Sequence, residues 1–225
     1  MVDLFDKLDT CKRPIHEAVI AHVTRYRVST LSLIKMLFFS DDASTFDAII
    51  DALLKSGKLK RIKGKSAFAI DAVTVPGVTV KADGDLAKLW FCCSGERRYL
   101  LGFDELRDLF SAEKLAPPYH NLSFCLAFDT GMPVLLRLYL CVAEKKSARE
   151  QLKNAIGKAA KSFAHWGADG SFGVAVMVTS DSKKTEIEKL LATSYGGNPP
   201  LNSAARFVVE VVATPETYPE MVEVL

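Results

Sequence analysis

Long hydrophobic runs, paired cysteines and an excess of charge are all missing from this 225-residue chain. No apolar stretch approaches the ~18 residues that cross a bilayer. The opening MVDLFDKLDTCKRP carries acids where a secretory leader needs a basic head and an apolar centre. A cytoplasmic protein with no membrane partner is expected. The five cysteines, Cys11, Cys92, Cys93, Cys125 and Cys141, are odd in number and show no C-x-x-C spacing. That argues against a disulfide-stapled scaffold and a paired-cysteine zinc site, and predicts reduced, mostly buried thiols. There is no short internal repeat, no low-complexity tract and no Gly-rich phosphate loop. Gly196-Gly197-Asn198-Pro199-Pro200 lacks the spacing and the Lys, and reads as a turn. No cofactor is expected.

The composition that remains is 49% hydrophobic and 25% charged, with a net charge of +2, which is that of a globular chain long enough for two domains. The small total hides an uneven distribution. Residues 1–70 hold 12 Lys/Arg against 8 Asp/Glu, whereas residues 71–225 hold 17 against 19. Six basic residues and no acid lie between Lys55 and Lys65. The asymmetry, rather than the total, points to an anionic partner.

Apolar spacing predicts a first helix after Pro14 (Ile15, Val19, Ile20, Val23), and a second capped by Ser29 or Thr30 (Leu31, Ile34, Leu37, Phe38). A third, opened by Ser44 or a neighbour, carries Phe46, Ile49, Ile50, Leu53 and Leu54 and stops at Gly57. KLKRIKGKSAFAID then alternates around Gly64 and reads as a hairpin with a basic tip, Leu59 and Ile62 on one side and Phe68 and Ile70 on the other. Three helices followed by a basic hairpin is the order of a winged helix-turn-helix, placed at about 10–72. Residues 72–85 read as a strand or crossing linker and as the domain boundary.

Beyond it, 86–101 fit either a buried helix or a strand turning at Ser94-Gly95. Phe103 to Phe110 reads as a helix, and Leu122–Phe128 with Val134–Val142 as a hairpin. Ser147 and Glu150 form a capping box opening a helix to about Phe163. A strand at Phe172–Thr179, a helix capped by Asp181 and a strand at Phe207–Val212 follow. The expected fold is thus α+β or α/β, a winged helix and then a mixed-sheet domain over 85–225.

The basic hairpin is the strongest functional feature, since neutralising phosphates needs clustered Lys/Arg, although a solvated charged hairpin would look the same. Lys58, Lys60, Arg61, Lys63 and Lys65 are the expected phosphate contacts on double-stranded DNA, with Ser44, Thr45 and Lys55 contributed by the third helix. The outward residues of that helix, Thr45, Asp47, Ala48, Asp51 and Lys55, include two acids, a poor set for reading bases. Many winged helices dock proteins instead. In the second domain, Asp129 with Glu144 and Lys146 mimics a short, degenerate metal-dependent nuclease signature, at a place where charge is also normal for solvation. His120 and His165 have no partner at ligand spacing. His165-Trp166 reads as a helix end with Trp on the core, and Cys92-Cys93 as buried packing.

VSTLSLIKMLFF (28–39), TFDAIIDALLKSGKLKRI (45–62), PPYHNLSFCLAF and VLLRLYLCVAEKKSAREQLKNAIGKA together resemble the replication-relaxation proteins of plasmids and integrative elements. The resemblance implies a winged helix joined to a restriction-endonuclease-like core, and an accessory or regulatory role in replication or transfer. The chain departs from that family at Asp47 and Asp51, where the third helix is usually Arg-rich. It departs again at Pro118-Tyr119, where a Pro-Asp pair would stand, and at Cys141 and Ala143, where an acid-x-acid would stand. The implied core is therefore catalytically inert, kept for homodimerisation or for binding a protein partner.

Overall fold

The computed structural model describes residues 13–40, 42–95, 97–116, 122–129, 132–141, 150, 152, 154, 171–193 and 206–218. They form two compact units. The first lies within Asp3–Trp90 and Ala213–Leu225, the second within Phe91–Val212. The chain is mixed α+β, and among the described residues no helix is long and apolar enough to cross a membrane.

In the first unit, α1 (Ile15–Tyr26), α2 (Leu31–Phe38) and α3 (Phe46–Lys55) stand where apolar spacing places them. Thr30 caps α2, its hydroxyl accepting from the Leu33 N–H. Helix α3 is stopped by Gly57 in the left-handed region (φ +69), with the Lys58 and Leu59 N–H groups both donating to the Leu53 carbonyl. The three helices close on one core of Val19, Val23, Ile34, Phe39, Ile50 and Leu53. β1 (Ser29–Thr30), β2 (Lys60–Arg61) and β3 (Ala72–Thr74) form an antiparallel sheet in the order β1-β3-β2, with Arg61 opposite Val73 and Ser29 opposite Val73 on the other side.

The hairpin expected over 59–70 is corrected. Residues 67–71 are a short helix, α4 (Ala67–Asp71), and β2 pairs with β3 beyond it. Ser66 caps α4 by accepting from the Ala69 N–H at 3.2 Å, and the consecutive residues Phe68 and Ala69 are both buried while Ile70 is exposed, which breaks the two-residue alternation of a half-buried hairpin strand.

The stretch read as a linker, 72–85, is held on the first unit. Asp85 is buried and accepts from the Lys81 N–H at 2.9 Å. It also pairs with Arg27 and Lys88, while Arg27 donates to the Thr79 carbonyl at 2.7 Å. The ambiguous 86–101 segment is helix α5 (Ala82–Cys93) and then strand β4 (Arg98–Leu100), and the division between units falls in α5, between Trp90 and Phe91.

The second unit is a five-stranded mixed sheet in the order β4-β5-β6-β7-β8. β5 (Ser123–Asp129) and β6 (Met132–Leu140) form the expected hairpin, β4 is antiparallel to β5, and β7 (Phe172–Val178) and β8 (Arg206–Val211) continue parallel from β6. β7 is buried along its whole length, so it reads as one apolar run. Helix α6 (Phe103–Ala112) sets Phe110 edge-on against Phe124 of β5. Helix α7 (Asp181–Ala192) packs on β7 and β8, and its cap is Ser180 rather than Asp181, the Ser180 hydroxyl accepting from the Lys183 N–H. Glu150, Leu152 and Asn154 are helical, but Ser147 and the rest of that expected helix lie outside the described residues. Cys92, Cys125 and Cys141 are buried and Cys93 is half-buried, none in a disulfide; Cys11 lies outside the described residues.

One ion pair joins the two edges of this sheet. Arg98 of β4 donates to both carboxylate oxygens of Glu210 of β8, at 2.7 and 2.5 Å, and its guanidinium lies 4.3 Å from the Phe91 ring centroid. Four strand spacings of about 4.8 Å separate the edges of a flat sheet, more than these side chains can bridge, so the bond requires a strongly twisted and coiled sheet. Burial pulls the Arg98 pKa down, but the Glu210 hydrogen bond and charge outweigh it and the net direction is up. Glu210→Ala is expected to cost about 2 kcal/mol in urea unfolding, because it leaves a largely buried guanidinium without its carboxylate.

His22, on α1, is buried against Tyr26 and Phe38 and hydrogen-bonds Ser29 at 3.0 Å. Burial, with a smaller contribution from Arg25, pushes its pKa down to about 4. The unfolded chain therefore takes up this proton first as pH falls, and the stability held above pH ~6.5 declines toward pH 4 by about 3 kcal/mol. In His22→Gln that part of the acid sensitivity is expected to vanish, as read from urea midpoints at pH 7 and pH 4.5.

Candidate functional site

The basic segment begins where α3 ends. Gly57 turns the chain, Leu59 is buried, and Lys58, Lys60, Arg61, Lys63 and Lys65 are all exposed. The pairing of Lys60 with Thr74 and Arg61 with Val73, continued by the Ile62 N–H donating to the Ala72 carbonyl, fixes the base of an excursion from 62 to 71. Its tip folds back on α4: a Cβ on Gly64 would lie 2.7 Å from the Ala69 Cβ, so only glycine fits there. Arg61 Nη1 donates to the Ile70 carbonyl at 3.2 Å. Among the described residues Lys58, Lys60, Lys63 and Lys65 have no carboxylate partner, so four ammonium groups are presented to solvent within one short segment.

The start of α3 has the opposite character. Ser44 and Thr45, expected to contact DNA, turn their hydroxyls to Asp42: Ser44 Oγ donates at 2.6 Å, and Thr45 Oγ1 lies 3.2 Å from the carboxylate. The hydrogen bond from Ser44, with that from Thr45, lowers the Asp42 pKa. Asp42, Asp47 and Asp51 are all exposed, as is Lys55 at the other end of the helix. A phosphate approaching the first turn of α3 would meet fixed negative charge, whereas one approaching residues 58–65 would meet only cations.

A second group of residues that sequence patterns did not single out holds the excursion in place. Asp71, the last residue of α4, accepts from Ser32 Oγ at 2.7 Å, from the Ser32 N–H at 3.3 Å and from the Tyr218 hydroxyl, and the Ser32 and Tyr218 hydroxyl oxygens lie side by side on the same carboxylate oxygen. Tyr218 also sets its ring edge-on to Phe68 at 6.0 Å. Burial, reinforced by the hydrogen bond to Asp71, pushes the Tyr218 pKa up. Residues 147 and 186 positions apart meet here, a separation that no local pattern announces.

In the second unit, Asp129 is the last residue of β5, while Glu144, Lys146 and Ala143 lie outside the described residues, as do Pro118, Tyr119, His120, His165, Trp166 and the 196–200 turn. Cys141 is buried. Among the described residues no group of three or more His, Cys, Asp or Glu is placed to share a metal ion. Set against family models, curated proteins and solved structures, the chain matches none.

Tyr218→Phe removes one donor from the Asp71 carboxylate and is expected to lower stability by about 2 kcal/mol in urea unfolding at pH 7. The unfolded tyrosine ionises before the folded one, so wild type should also lose stability as pH rises above ~10, a loss reduced in the Phe variant.

Proposed function

We propose that this chain binds duplex DNA through its phosphate backbone, as an accessory or regulatory protein of plasmid or mobile-element replication or transfer. In this reading the first unit is a winged helix-turn-helix, with β2, the 62–71 excursion and β3 as its wing. The second unit is a catalytically inert, nuclease-like scaffold for self-association or partner contact. The observation that carries the reading is the run of exposed cations at Lys58, Lys60, Arg61, Lys63 and Lys65, next to a three-helix unit with an antiparallel β1-β3-β2 sheet. Clustered cations release the counterions condensed on DNA, and that release supplies affinity independent of sequence. The acids at Asp42, Asp47 and Asp51 make sequence readout by α3 unfavourable, so the binding proposed is backbone-directed.

Those same three acids favour one rival, a protein-docking module in which α3 meets a basic partner and DNA plays no part. Mobility-shift titration on a duplex separates the two. Binding is expected at low salt, weakening steeply as salt rises, and the triple variant Lys60→Ala, Arg61→Ala, Lys63→Ala should lower the log–log salt slope by about 2–3. No binding at low salt, or binding unchanged in the triple variant, would sink the DNA reading and leave the docking module.

A further inference from the structure

We infer that the 62–71 excursion enters the minor groove and that Ile70 is an apolar wedge pressed against a base step, so that the bound duplex is bent. This rests on the DNA reading above and adds to it the groove, the contacting side chain and the deformation. Ile70 is 64% exposed, although its neighbours Phe68 and Ala69 on α4 are buried. Ala67 is exposed as well, so the outward side of α4 is apolar.

An exposed isoleucine alone would mean little. Its surroundings give it meaning. The Arg61 guanidinium is bonded to the Ile70 carbonyl, and the close approach of Gly64 to Ala69 brings Lys63 and Lys65, its sequence neighbours, beside the same helix. The one carboxylate in the excursion, Asp71, accepts hydrogen bonds from Ser32 and Tyr218. The Ser66 cap and the Phe68–Tyr218 ring contact hold α4 fixed, so that Ile70 is presented on a rigid support. A rigid aliphatic side chain amid cations fits the minor groove, where potential is most negative over A·T tracts and where apolar side chains part base steps and kink the duplex.

The test uses the full chain and duplexes of about 25 bp carrying a central TA step, end-labelled for energy transfer or with 2-aminopurine at that step. Wild type is expected to shorten the end-to-end distance and to raise 2-aminopurine fluorescence. Ile70→Ala should abolish both signals and weaken binding roughly tenfold while leaving the salt slope unchanged. Lys63→Ala should lower the slope by about one and keep the bend. Because Ile70 is so exposed, Ile70→Ala should melt with wild type, and a melting curve checks that. Wild type that binds without bending, or Ile70→Ala that still bends the duplex, overturns the wedge and leaves the DNA reading intact. Wild type that binds no duplex overturns both. If it then binds phosphatidylserine vesicles, and Ile70→Ala does not, the patch belongs to an anionic membrane surface.

Discussion

The Asp71 carboxylate joins three parts of the first unit that are far apart in sequence. It ends α4, leads directly into β3, and accepts hydrogen bonds from Ser32 in the first turn of α2 and from Tyr218. A carboxylate satisfied by several donors is held far more firmly than an apolar contact of similar size, because each donor restricts both position and direction. The orientation of α4 follows from it, and so does the path of the cationic excursion that α4 closes.

The second unit solves a different problem. A five-stranded sheet that changes from antiparallel to parallel at β6 has β4 and β8 as its outer strands, and the Arg98–Glu210 pair ties one to the other. The pair is bidentate and also engages the Phe91 carbonyl and ring, so the guanidinium satisfies several groups at once. The other face is apolar around Phe110 and Phe124. The unit is thus a scaffold fixed by charge at its margins and by packing at its centre.

The legible parts of this molecule were those governed by period. α1, α2, α3 and α6, and the β5–β6 hairpin, stand where apolar spacing places them, because their burial follows directly from 3.6- and 2-residue repeats. The helical part of the excursion leaves little trace in the sequence because Phe68 and Ile70 alternate as a strand would, and it is the Ser66 cap and the burial of Ala69 that favour a helix there. The Lys and Arg cluster was visible as composition. The turning of Ser44 and Thr45 toward Asp42 was not, since competition between local hydroxyl–carboxylate bonds and a ligand leaves no periodic trace. Tyr218 and Glu210 were invisible for a plainer reason: their partners lie more than a hundred residues away.

The first unit draws on residues near both ends of the sequence, with the whole second unit inserted between Trp90 and Ala213. During synthesis the helices and the β1-β3-β2 sheet can form early, yet Asp71 and Ser32 must wait for Tyr218, which emerges after all of β4 to β8. At roughly 5–20 residues per second that interval lasts on the order of ten seconds, during which the excursion lacks its final anchor. The chain thereby orders its own maturation: the second unit is synthesised before the last hydrogen bond of the first is made.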